Sequence, residues 1–308
     1  MSPLRDALER YINMRRGFGY KLKCSALLLS HFVTHMDEQG ATIITSKLAL
    51  DWVTKEAGPL TWQNRLSAVR GFARHLSSTE PRTQIPPTGI LEARQRHIPY
   101  IYSDQEITTL LNAMLAVHSA KGLHRWTYHS IFGLLAVTGL RVGEAIRLEH
   151  HNVDLDGGIL TIRDTKFGKS RIVPIHPTTV TVLADYARRR NAHRFKNVSP
   201  TFFIGEQGRP LNHSALHLAF RTVSREIGLR RPGDAYSGPR IHDLRHRYAV
   251  ATLLRWYRDG EDVEQRLPVL STYLGHSDIM STYWYLSAYP ELMEHAALRL
   301  QAHWEKLS

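Results

Sequence analysis

Leu29, Phe32, Val33 and Met36 recur at the spacing of one helix face. Trp62, Leu66, Val69, Ala73 and Leu76 repeat that period further on. Thr45 or Ser46 can cap a helix running through Leu48 to Val53, and Gly58-Pro59 breaks it. The pattern predicts four helices, about 3–16, 21–39, 46–56 and 60–78, forming a small helical domain over residues 1–80. The periodicity then lapses: Pro81, Pro86, Pro87, Gly89 and Pro99 fall in a polar stretch between Ser77 and Tyr100. Prolines hold a chain extended and resist packing, which places an interdomain linker at 81–100. Its Arg82, Arg94 and Arg96 can touch a nucleic-acid backbone or simply face water.

The second domain, 101–308, opens with Ser103-Asp104-Gln105-Glu106, a capping box ahead of a helix to about Val117. Tyr128, Ile131, Phe132 and Leu135 share the face of the next helix, which Gly139 ends, and a short helix holds Arg141 to Leu148. The pattern then changes. Residues 158–163 and 171–175 look like two strands joined through Thr165-Lys166-Phe167-Gly168-Lys169. Helical spacing returns at about 177–192, 212–227, 241–258, 263–273, 278–286 and 290–304. The expected fold class is mainly α with a small antiparallel β-sheet.

Composition narrows the function. The net charge is +12, with 12 Lys/Arg against 7 Asp/Glu in residues 1–85, so both domains are basic and no single tail accounts for the excess. Such a surface favours polyanions, nucleic acid first. No run of eighteen apolar residues exists, the N-terminus lacks a signal peptide's apolar core, and Cys24 is the lone cysteine. The expectation is a cytoplasmic, nucleoid-associated protein with no membrane span, no disulfide and no zinc motif.

Four segments carry chemistry-bearing residues, each open to two readings. Arg141, just past Gly139 in Thr-Gly-Leu-Arg-Val-Gly-Glu, can grip two phosphate oxygens with its guanidinium fork, oriented by Glu144 one turn on; a plain surface ion pair is the alternative. Lys166 and Lys169 can face solvent from a hairpin tip, or enter a groove and deliver a proton to a leaving oxygen. In Ile241-His242-Asp243-Leu244-Arg245-His246, the histidine pair at i,i+4 suggests zinc, but Arg245 beside it repels a cation and the metalloprotease glutamate is missing, so a phosphate site fits better. Tyr283 and Tyr285, after His276, belong either to an aromatic core or to a reacting group.

Together these segments resemble, in order, the motifs of the tyrosine recombinase family, also called the phage integrase family, over the whole second domain. The resemblance implies catalytic roles for Arg141, Lys166, His242, Arg245, His276 and Tyr285, with Glu144 supporting and Lys169 the rival of Lys166. It selects Tyr285 over Tyr283 because the family nucleophile commonly lies nine residues after the position of His276. It also implies that the first domain is the core-binding domain that clamps DNA, and that the segment from Pro290 onward is a helix docking on a neighbouring subunit. Residues 283–292 look like members encoded by insertion elements and plasmids.

The implied activity is site-specific DNA recombination through a 3′-phosphotyrosine, with no cofactor and no metal, serving integration, excision or transposition. The partners would be double-stranded DNA with inverted-repeat core sites and a homotetramer or mixed recombinase tetramer. Two alternatives stand beside it: a type IB topoisomerase, which shares this chemistry but religates the same strand, and a catalytically inactive DNA-binding accessory factor.

Overall fold

The computed structural model describes residues 2–55, 58–91, 98–120, 122–163, 170–193, 195–231, 238–276 and 278–307. It divides into two compact units, Met1–His97 and Ile98–Ser308.

Among the described residues the first unit contains four helices: α1 (Pro3–Gly17), α2 (Lys23–Glu38), α3 (Ser46–Thr54) and α4 (Pro59–Leu76). The apolar stripes read from the sequence meet in one core, where Phe32, Val33, Met36, Val69 and Phe72 are fully buried. Thr45 Oγ1 accepts the Leu48 N–H at 3.2 Å and caps α3, while Pro59 opens α4, where its missing N–H costs nothing. The proline-containing stretch does not leave this unit at 81. Arg70 donates to the carbonyls of Pro86 and Pro87 (2.8 and 2.7 Å), the Gln84 N–H donates to Ile44 O, and Leu91 packs on the core. The prolines supply extended chain whose carbonyls at Pro86 and Pro87 are hydrogen-bonded by Arg70 of α4. Arg82 pairs with Glu80 at 2.7 Å; Arg94 and Arg96 lie outside the described residues.

The second unit runs α5 (Asp104–Ala116), α6 (Leu123–Thr138), α7 (Val142–Arg147), a 3-10 turn at His150–Asn152, β1 (Val153–Asp154), β2 (Ile159–Ile162), β3 (Arg171–Pro174), α8 (Pro177–Ala192), α9 (His213–Glu226), α10 (Ile241–Arg258), α11 (Val263–Leu274), α12 (Met280–Ala288) and α13 (Pro290–Leu307). The Ser103–Glu106 capping box forms as expected, with bonds of 3.1 and 2.7 Å. Helix α6 is apolar on several faces because α5, α8 and α10 all pack on it. The sheet is antiparallel in the order β1-β2-β3, with Leu160 opposite Val173, both fully buried. Strand β1 was not expected: two residues are too short to show alternation. The chain is therefore mainly helical with a small antiparallel sheet.

A second apolar cluster gathers α10, α11, α12 and the start of α13 around Leu253, Leu267, Leu274, Tyr285 and Leu292. Leu292 is buried within its own unit, whereas Met293, Leu298 and Trp304 further along α13 are exposed. Among the described residues no helix is long and apolar enough to cross a membrane.

Candidate active site

The C-terminal end of α11 organises the site. A helix end leaves its last carbonyls without intrahelical donors and carries partial negative charge, so it attracts cations. Here three consecutive carbonyls each take an arginine. Arg171 Nε donates to Tyr273 O at 2.7 Å, Arg245 Nη2 to Leu274 O at 2.8 Å, and Arg141 Nη2 to Gly275 O at 2.9 Å. Arg245 also donates through Nη1 to Gly139 O at 2.8 Å, tying the end of α6 to the end of α11. Both glycines are required where they stand. Gly139 (φ +62°) ends α6, and a Cβ there would come 2.8 Å from the Tyr248 ring; Gly275 (φ +70°) ends α11, and a Cβ there would come 2.6 Å from Arg171 Nη1.

Glu144 binds two of these arginines together. Its carboxylate accepts from Arg171 Nη1 and Nη2 (3.1 and 2.8 Å), from Arg141 Nη1 (2.9 Å) and from the Arg141 backbone N–H (3.0 Å). Burial would raise its pKa, but the Arg171 hydrogen bonds and charge, then the Arg141 backbone N–H and charge, outweigh it and hold the carboxyl down at about 2. Glu144 is thus ionised across the working range. The glutamate is 3% exposed and Arg171 8%, whereas Arg141 keeps 35% of its side chain open to solvent. Arg245 is 2% exposed; burial, then the charge of Arg141, lowers its pKa to about 10, which still leaves it charged at neutral pH.

The two histidines stand among these charges. His276 accepts from or donates to Thr282 Oγ1 at 2.7 Å through Nδ1. Burial first, then Arg245, Arg141 and Arg171, push its pKa down to about 3. His242 shifts the same way, through burial and then Arg245, with Asp243 opposing, down to about 4. Both imidazoles are neutral at pH 7, each offering one donor and one acceptor nitrogen. Tyr285, on α12, stacks on His276 at 6.1 Å between ring centroids and meets His246 edge-on at 5.4 Å. It is 2% exposed, whereas Tyr283 is 39% exposed. Asp278 Oδ1 accepts the Met280 N–H at 3.0 Å at the start of α12; Ser277, the other expected cap, lies outside the described residues.

Arg141, Glu144, His242, Arg245, His276 and Tyr285 therefore come from α6–α7, α10, α11 and α12 to one place. Lys166 and Lys169 belong to residues 164–169, outside the described residues. Two residues of this neighbourhood went unrecognised in the sequence. Asp243, fully buried, accepts from the Arg240 N–H at 2.9 Å and pairs with the Arg240 side chain at 3.1 Å, fixing the start of α10. Its placement three residues after Arg240 was the available signal. Arg171 had none: at the start of a strand it reads as an ordinary surface position. Among the described residues no group of three or more His, Cys, Asp or Glu could hold a metal ion.

Residues 102–291 match the model of the phage integrase family. The y4rB protein of Sinorhizobium fredii, provisionally named an integrase/recombinase, is 46% identical over 99% of both chains. The tyrosine recombinase XerD of Rhizobium meliloti is 29% identical over 72% of this chain and 68% of its own. Among solved structures, the Tn1549 transposon integrase in complex with transposon right-end DNA superposes with a TM-score of 0.66 at 14% identity, over 96% of this chain and 99% of that one. A lambda integrase tetramer bound to a Holliday junction superposes with a TM-score of 0.60 at 19% identity, over 89% and 77%.

Proposed function

The chain belongs to the phage integrase family of tyrosine recombinases, and on that premise we propose that it cuts and rejoins DNA strands through Tyr285. The observation that carries the reading is the convergence of two arginines, two neutral imidazoles and Tyr285 on the end of α11.

A phosphodiester resists nucleophiles because its oxygens are negative. Arg141 and Arg245 present guanidinium donors to the two non-bridging oxygens and gain most as charge builds on the five-coordinate phosphorus. Tyr285 Oη bonds to phosphorus as the bond to the deoxyribose 5′ oxygen breaks, and the tyrosine proton passes to a neutral imidazole, His276 or His242. The leaving 5′ oxygen needs a proton, for which Lys166 is the candidate donor, with Lys169 its rival. The product is a 3′-phosphotyrosine that a 5′-hydroxyl from another strand reverses, so neither ATP nor a metal is consumed.

In this reading the helical first unit binds the duplex that the second unit cuts. Arg15, Arg70 and Arg74 line a groove there between α1, α2 and α4. The substrate is a pair of inverted-repeat core sites, and exchange between two duplexes requires four cuts and so four subunits, its own or mixed with a sister recombinase. The exposed part of α13 is the connector to a neighbour. The outcome served is integration, excision or transposition, and the site of action is the cytoplasmic nucleoid.

The test is covalent trapping on nicked candidate DNA in excess EDTA. The parent protein and Tyr283→Phe should form adducts, and Tyr285→Phe should bind DNA without forming any. Adducts that persist in Tyr285→Phe, or activity restored to an EDTA-treated protein only by added metal, would refute the reading.

A further inference from the structure

The reading above uses Arg141 and Arg245 and leaves a third arginine of the cluster unused. Arg171 is the first residue of β3, directly after the segment that carries Lys166 and Lys169. Its side chain is 8% exposed and donates to internal acceptors: Nε to Tyr273 O, Nη1 and Nη2 to the two oxygens of Glu144. All three nitrogens of its guanidinium are bonded within the protein, whereas Arg141 and Arg245 bond internally through Nη1 and Nη2. Each Glu144 oxygen that it holds also holds Arg141, Oε1 through the Arg141 side chain and Oε2 through the Arg141 backbone N–H.

We propose, on the footing that Arg141 grips the scissile phosphate, that Arg171 is the positioning residue for Arg141, acting through Glu144 and the end of α11. A Glu–Arg pair three residues apart, with the arginine one-third exposed, is loose by itself, since solvent competes for both ends. Arg171 removes that freedom at the glutamate. Its planar fork matches the carboxylate bidentately and fixes the carboxylate plane. Its third bond fixes the plane to Tyr273 O, two residues from the Gly275 carbonyl that holds the other arm of Arg141. Arg141 is thereby held between two acceptors whose separation Arg171 sets. Gly275 belongs to the same device, because any side chain there would displace Arg171. The anchor also joins the root of β3 to α11, so the strand that follows the lysine segment and the guanidinium at the phosphate share one fixed point.

The test compares Arg171→Lys and Arg171→Ala with the parent. Lysine keeps the charge and loses the fork. Three quantities are read: the single-turnover rate of adduct formation, the DNA affinity, and the ¹⁵N signal of the Arg141 side chain, assigned by its loss in Arg141→Lys. Misplacement of a reacting group by about 1 Å costs on the order of 10²-fold, so both variants should lose adduct formation on that scale with DNA affinity near the parent's, and the Arg141 signal should move toward that of a solvent-exposed arginine.

A pH profile adds a readout that a mere strut would leave alone. Glu144 faces Arg141 and Arg171, feels Arg245, and borders a cleft of about 270 Å³ that Arg147, Glu149, His151 and Arg163 also line. Without Arg171 its burial is less well opposed, so its pKa rises. The Arg171→Ala rate should then fall as pH drops, and the limb should vanish in Arg171→Ala/Glu144→Gln.

A parent-like rate in either variant overturns the proposal. So does an unmoved Arg141 signal beside a lost rate, which marks a strut, or affinity falling in step with the rate, which marks a DNA contact. Should Arg171→Ala fail to fold, Arg171→Lys decides. Should the parent itself form no adduct, the recombinase reading fails, while the Arg141 signal still decides whether Arg171 positions it.

Discussion

Replacing Glu144 by Gln keeps the shape of the side chain and removes its charge. In the folded chain its pKa drops from 4.5 to about 2, which at ~1.4 kcal/mol per pH decade is about 3 kcal/mol of stability at pH 7. The figure leans mainly on Arg171, since the Arg141 partner is one-third exposed and solvent screens it. Breaking a buried pair by removing one partner costs ~3–5 kcal/mol, which agrees in size. Calorimetry at pH 7 reads it directly in the transition of the Ile98–Ser308 unit. At ~2–4 °C per kcal/mol for a unit of this length, Glu144→Gln should melt ~6–12 °C below the parent. The sign with pH follows from a depressed carboxyl. The stabilisation is fully present above 4.5, the ordinary glutamate value, and is lost as pH falls toward 2, so the gap between parent and variant should close over that window. A variant that melts with the parent at pH 7, or a gap that stays constant from pH 7 to pH 3, would mean that Glu144 is not the charged centre of the cluster.

Three further outcomes are expected. Gly275→Ala forces a left-handed residue to carry a Cβ 2.6 Å from Arg171 Nη1, so adduct formation should drop together with a stability loss of at least ~1–2 kcal/mol; a fully active variant would contradict the packing at α11. DNA binding that neutralises ~6–10 phosphates should weaken ~10³–10⁵-fold between 50 and 200 mM salt, and an affinity flat across that range would contradict a clamp built on a net charge of +12. Leu292→Ala, at a side chain buried in its own unit, should cost ~2–5 kcal/mol in denaturant unfolding, whereas truncation after Glu294 should leave the unit folded and one-site binding intact while weakening assembly on two-site DNA, read by light scattering; normal tetramers from the truncated chain would remove α13 as the connector.

Most of the helices were legible in the chain itself, because their signals are local. The apolar stripe through Leu29 and Met36, the Ser103–Glu106 box and the glycine after Thr138 each act within a few residues, and the structure uses all three. Strand β1 and the docking of 82–91 on the helical unit were not legible. The first is too short for a period, and the second depends on where Arg70 meets two proline carbonyls after the chain has folded back.

The candidate site divides the same way. Residue types and order marked Arg141, Glu144, His242, Arg245, His276 and Tyr285, and family resemblance, not spacing within α12, separated Tyr285 from Tyr283. What only the tertiary structure decided is what those side chains hold. Arg245 reaches Gly139 and Leu274, Arg141 reaches Gly275, and Arg171 reaches Tyr273 and Glu144, across separations no local pattern spans. Their acceptors are largely backbone carbonyls, which every residue carries and no residue type announces. The carbonyls at the end of α11 become sites for arginine because the helix ends there and leaves them unpaired, and because packing brings three strangers in sequence to that same end.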